Sequence, residues 1–132
     1  MTSGHTVHRH RVRAWTAICL ARVMIQLSPD RLQSVLESIC RSAPRAATIE
    51  EALYARDLVC ALSRRCAGQG CLQRSVAVVL FCRSRGSAPN WRTGFSMNPF
   101  LAHAWVEVDD APVGELAVVD DYTVVHRADV RL

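Results

Sequence analysis

Three side chains have the types and spacing for acyl transfer: Cys71, His103 and Glu115. Cys71 follows Gly68-Gln69-Gly70, which breaks one helical pattern just before another begins. Its sulfur is therefore expected at a helix N-terminus, where unpaired N–H groups and the positive end of the helix dipole favour thiolate over thiol. His103 lies in Leu101-Ala102-His103-Ala104-Trp105-Val106-Glu107-Val108, whose bulk and β-branching read as a buried strand, ended by a turn at Asp109-Asp110 ahead of Ala111-Pro112. A thiolate in such a place attacks a carbonyl carbon, and a histidine beside it keeps the sulfur ionised and protonates the leaving amine. The imidazole needs a carboxylate on its other nitrogen. Glu115, on the strand after the turn, is the first candidate, with Asp120 and Asp121 in reserve, while Asp109 and Asp110 shape the turn. The expected geometry puts a Glu115 oxygen on one ring nitrogen of His103 and Cys71 against the other. The oxyanion would be held by the Cys71 backbone N–H, with Gln69 or Gln73 as a side-chain donor.

The remaining reactive residues read more simply. Cys19, Cys40, Cys60, Cys66 and Cys82 sit in apolar helical stripes, where cysteine behaves as a small hydrophobe. No cofactor and no metal are expected, because His103, His126 and the cysteines lack ligand spacing, and His5, His8 and His10 form only a loose basic tail. Arg74 is expected in an ion pair with Glu107 or Asp109, or on a substrate carboxylate, and Ser75 is expected to bond back along its own helix. Phe100 is expected to pack on the Cys71 helix, or else to wall a substrate pocket.

The elements that must position these groups follow from periodicity. Residues 1–10 read as a flexible tail and residues 11–132 as a single domain. A first helix spans about Val12 to Gln26, burying Trp15, Ile18, Cys19, Val23 or the stem of Arg22, and Ile25. Ser28 caps a second helix with Pro29 in its first turn, running to about Arg41 with Leu32, Val35, Leu36, Ile39 and Cys40 aligned. Thr48-Ile49-Glu50-Glu51 is a capping box opening a third helix to about Cys66, with Tyr54 and Cys60 as core filling. A fourth runs from Leu72 to Arg85 with Leu72, Val76, Val79 and Leu80 as its stripe, and Gly86 lies beyond its end. Strands are expected over Trp91–Met97, Leu101–Val108, Val113–Val119 and Tyr122–His126. Helices first and a small antiparallel sheet afterwards is an α+β plan.

Composition narrows the partners. Half of the residues are hydrophobic, enough for one real core at this length. The net charge is +4, from 16 basic residues that are all arginine against 12 acidic ones. Seven of those twelve fall in the last quarter, so the body is basic and the end acidic. No aromatic-interleaved basic patch accompanies the charge, which argues against nucleic acid. The apolar run from Ala14 to Leu27 is broken by Arg22 and too short to span a bilayer, and the N-terminus does not read as a secretory signal. Together with unpaired cysteine spacing, this predicts a cytoplasmic protein without a membrane partner.

The runs Cys71-Leu72-x-Arg74-Ser75, Asn98-Pro99-Phe100-Leu101-Ala102-His103-Ala104-Trp105-Val106-Glu107 and Val113-x-Glu115 resemble the transglutaminase-like cysteine protease of lasso-peptide biosynthesis. The resemblance covers the chain from about Arg11 onward. It implies a transglutaminase- or papain-like core and a hydrolase that removes the leader from a ribosomally made antibiotic-type precursor. A separate cyclase would then close the macrolactam ring. It further implies a separate leader-recognition protein, which a short protease of this kind depends on. In that family the third catalytic residue is usually an Asp in a Val-x-Asp setting, and here Glu115 stands in its place. The alternatives are a non-catalytic scaffold of the same fold that gathers the maturation partners, and an enzyme of the same fold that crosslinks amides or cuts another peptide.

Overall fold

The structure, a computed structural model, describes residues 4–97, 100–115 and 121–130. Five helices come first: α1 (Gly4–Met24), α2 (Pro29–Arg41), α3 (Ile49–Leu62), α4 (Arg64–Ala67) and α5 (Cys71–Ser84). The two-residue strands β1 (Arg45–Ala46) and β2 (Ser87–Ala88) pair in parallel. The main sheet is antiparallel, in the order β5 (Ala111–Pro112), β4 (Leu101–Val108), β3 (Asn90–Ser96), β6 (Thr123–Ala128). The α+β plan is the architecture found.

Helix α5 lies at the centre, with α1 and α3 packed on it and with β4 and β3 as its sheet contacts. Val76, Ala77, Val78, Val79 and Phe81 are all essentially inaccessible to solvent, and even Gln73, Arg74 and Ser75 are buried. This is a helix enclosed all round rather than the one-striped helix expected, and its β-branched residues are held helical by burial. Each large side chain contributes about 1.5–3 kcal/mol when fully removed from water. Trp91 of β3, 1 % exposed, donates its Nε1–H to Ser75 Oγ at 3.0 Å and so pins the first turn of α5 to the sheet.

Several expected boundaries move. Gly4 to His10, expected as part of a flexible tail, belong to α1. The helix is carried that far by an aromatic anchor: His10 Nδ1 lies 2.8 Å from the Tyr54 hydroxyl, and its ring meets Tyr54 and Phe81 edge-on. Tyr54 is accordingly a surface residue, and Trp15, Cys19, Arg22 and Val23 on α1 are also exposed rather than buried. The helix expected to run to Cys66 stops at Leu62, because Ser63 turns extended and caps α4 through its Oγ and the Cys66 N–H.

The expected strand Val113–Val119 is replaced over its described part by a bend. Gly114 has φ of +71°, and the Val113 N–H bonds back to Val106 O at 3.0 Å. Residues 116–120, including the reserve Asp120, lie outside the described residues. The turn before it is as expected. Asp109 and Asp110 have φ of 53° and 63°, the doubly positive pattern of a tight two-residue hairpin, which aspartate tolerates better than most residues.

Candidate active site

Cys71 is the first residue of α5, capped by Gly70 with no side-chain hydrogen bond, so the first N–H groups of the helix face the site free of a capping side chain. Gly70 is required here by space. A Cβ at this position would fall 2.6 Å from Arg65 O, and the close approach lets the chain enter the helix directly from α4. His103, opposite Gly94 in the β3–β4 register, lines the same cleft as Cys71, and its ring together with the Ala104 backbone N–H favours the thiolate form of that sulfur. On the far side of the ring, His103 Nε2 is 2.9 Å from Glu115 Oε2, which leaves Nδ1 for Cys71. The positive φ of Gly114 turns the chain so that Glu115, three residues beyond β5, meets the ring.

Around this row the packing is dense. Trp105 stacks on the imidazole at 6.0 Å between centroids, and Tyr122 meets both rings edge-on. Trp105 Nε1 in turn donates to Glu107 Oε2 at 2.8 Å. Arg74 is 7 % exposed; its Nη1 donates to Cys66 O at 2.8 Å and Gly68 O at 3.3 Å, while Nη2 lies 3.9 Å from Glu115 Oε1. The Arg74 ion pair therefore falls on Glu115 and not on Glu107 or Asp109; Glu107 faces Arg92 at 3.5 Å instead. Ser75 bonds back to Leu72 O at 2.9 Å, as expected.

The electrostatics follow from these contacts. Burial opposes ionisation of Cys71, but the His103 hydrogen bond, the Ala104 N–H and the positive charges of His103 and Arg74 outweigh it and hold the thiol below its ordinary value. The hydrogen bonds to Cys71 and then to Glu115 push His103 up to about 9 despite the cost of burial. Both shifts work toward the thiolate–imidazolium pair, the sulfur drawn down and the ring pushed up. Cys40 and Cys82 go the opposite way, pushed up to about 12 by burial, and burial raises Cys66 as well.

Not every expected residue reaches the site. Gln73 points away: it is buried, and its Nε2 donates to Ile18 O at 3.1 Å, joining α5 to α1. Its first-turn position suggested an oxyanion donor, but the turn rotates it onto the helical face. Gln69 is exposed on the turn before Gly70 and is not part of the cleft wall. Asp121 is exposed. Phe100 is 65 % exposed and stacks on Phe95, so it walls the cleft instead of packing on α5. That cleft, about 570 Å³, opens from Cys71 and His103 between α2 and the sheet. His126 lines it and was not singled out as a site residue; its Nδ1 meets Thr93 Oγ1 at 3.1 Å and its Nε2 lies 3.5 Å from Asp30 Oδ1.

A thiol at a helix start, an imidazole on an antiparallel strand and a carboxylate beyond it, within helices-then-sheet topology, define a class of papain-like and transglutaminase-like folds. The chain belongs to the transglutaminase-like superfamily: the model of that family matches residues 14–127. No curated protein and no solved structure matches the chain. No helix among the described residues is long and apolar enough to cross a membrane.

Proposed function

We propose that this protein is a cysteine peptidase that removes the leader from a lasso-peptide precursor before the ring is closed, with Cys71, His103 and Glu115 as its catalytic residues. A transglutaminase-like domain is compatible with cysteine peptidase chemistry. The observation that carries the reading is the grouping of Cys71 and His103 on one cleft with Glu115 behind the ring, the sulfur at the start of α5 and the carboxylate 2.9 Å from the imidazole. The Pro-Phe-x-Ala-His-Ala-Trp-Val-Glu run supports the narrower assignment to leader removal.

In this mechanism the thiolate of Cys71 attacks the scissile carbonyl carbon and forms the S–C bond. The carbonyl electron pair moves onto oxygen, where the unpaired Cys71 N–H at the helix start donates to it. As the tetrahedral intermediate collapses, the C–N bond breaks and His103 Nδ1 gives its proton to the leaving amine. Water then attacks the thioester, its proton passes to His103, and the acid is released with the thiolate restored. Glu115 holds Nε2–H throughout, fixing ring orientation and stabilising the imidazolium.

The test is to incubate the protein with a lasso precursor encoded beside it and the leader-recognition protein, and to weigh the peptides. The expected outcome is two fragments with wild type and intact precursor with Cys71→Ser. A Cys71→Ser variant that cuts as fast as wild type would end the reading in favour of a scaffold.

A further inference from the structure

The cleft that runs from Cys71 has an apolar wall built from both layers of the fold. Leu27 of the α1–α2 connection and Leu32 of α2 face it from one side, and Phe95 of β3, Phe100 just ahead of β4 and Val125 of β6 from the other. Val125 reaches it through an irregularity. Thr93 pairs with His126 and Gly94 with Val124, so Val125 is the extra, unpaired residue of a β-bulge in β6. Val125 and its neighbour His126 both line the cleft, at the place where the bulge interrupts the pairing of β6 with β3.

Val125 is 54 % exposed and Phe100 65 % exposed, large apolar side chains left open to water beside the thiol. Away from Cys71 and His103, the polar groups in the wall are turned to one another or to a neighbour: Thr93 bonds His126, and His126 faces Asp30. A polar or acidic side chain entering here would give up water for little in return.

We infer that this cleft is a specificity subsite, taking a large aliphatic or aromatic side chain of the peptide beside the carbon that Cys71 attacks, with Val125 and Phe100 as the residues that select it. The inference rests on the catalytic reading of Cys71 and names the class of substrate residue that the site accepts.

The test uses three alkylating probes: iodoacetamide, its N-isobutyl derivative and its N-carboxymethyl derivative. In each the thiolate sulfur bonds the methylene carbon as the C–I bond breaks, and iodide leaves. Rates at Cys71 are read by peptide mass mapping and divided by the rate of each probe with glutathione. The N-isobutyl probe is expected to exceed the N-carboxymethyl probe by about tenfold or more, as one small apolar group is worth in a fitted pocket. Val125→Asp, or Phe100→Asp at the other exposed position, is expected to bring that ratio close to one. A ratio near one in wild type, or a ratio that survives both variants, overturns the subsite. Iodoacetamide reacting at Cys71 no faster than with glutathione overturns the catalytic reading itself, and the subsite with it.

Discussion

Cys71 and His103 each hold the other in its charged form, and Glu115 fixes the ring from behind. His103, raised to about 9 by its contacts, stabilises the fold fully below its unfolded value near 6.5, and this contribution is lost as pH rises through about 9. The proposed leader cleavage should therefore keep its rate through neutral pH and lose it on an alkaline limb near 9, where the leaving amine no longer finds a proton. Glu115→Gln keeps a hydrogen-bonding group but removes the charge that helps raise His103, so the limb should move toward lower pH and turnover should fall. A pH–rate profile of leader cleavage checks both points, and a limb that stays in place in Glu115→Gln would remove Glu115 from the role. Cys71, His103 and Glu115 were legible because each stands where local pattern changes: after a double glycine, inside an apolar strand, beyond a turn. Arg74 on Glu115 and Gln73 on Ile18 were not, since these pairings depend on how α5 rotates against its neighbours, and Tyr122 on His103 was not, since it depends on the sheet order that sets β6 two strands from β4.

The elements show the same division. Thr48 and Glu51 form the reciprocal capping box that their spacing announced, with Thr48 Oγ1 accepting from the Glu51 N–H at 3.1 Å and Glu51 Oε1 accepting from the Thr48 N–H at 3.0 Å. The partner from outside the motif is Arg45, which holds both Glu51 oxygens at 2.6 and 2.7 Å. Its hydrogen bond, opposed by burial and aided by Thr48, lowers Glu51 to about 2. A lowered carboxyl stabilises the fold above its unfolded value near 4.5 and loses that contribution as pH falls through about 2. Glu51→Gln should melt below wild type at pH 7, and the difference should shrink as the pH is lowered toward 2. Thr48→Ala should cost about 1 kcal/mol at any of these pH values, the usual worth of an N-cap. Thermal melts of the three proteins across that range decide it, and a Glu51→Gln deficit that grows in acid would reverse the sign of the assignment. Caps were legible because they are contained within four residues. The stop at Ser63 and the bulge at Val125 were not, because one is a choice between two helical continuations and the other exists only in the pairing of β3 with β6.

At the scale of the whole molecule, the switch from helical to alternating period foretold helices packed on an antiparallel sheet. The order β5-β4-β3-β6 and the enclosure of α5 came only with the fold, since an all-round buried helix carries no stripe to reveal it. Among the described residues, an apolar cleft lies beside the thiol. Such a cleft grips a side chain or a short stretch of peptide, and the ordering of a flexible leader works against the affinity that this contact supplies. A leader-binding partner that also contacts this protein would make encounter with Cys71 intramolecular, at an effective concentration in the millimolar range for a short flexible connection. Cleavage of precursor by the protein alone should therefore be slow and far from saturation at micromolar peptide. Adding the recognition protein should raise kcat/KM by about a hundredfold or more, chiefly through KM, because tethering changes encounter and leaves the Cys71–His103 chemistry as it is. Deleting the leader from the precursor while keeping the residues around the cleavage site should abolish the acceleration and leave the slow basal rate. Equal kcat/KM with and without the partner would place leader recognition within these 132 residues, and a rise confined to kcat would mean that the partner rearranges the site rather than delivering the peptide to it.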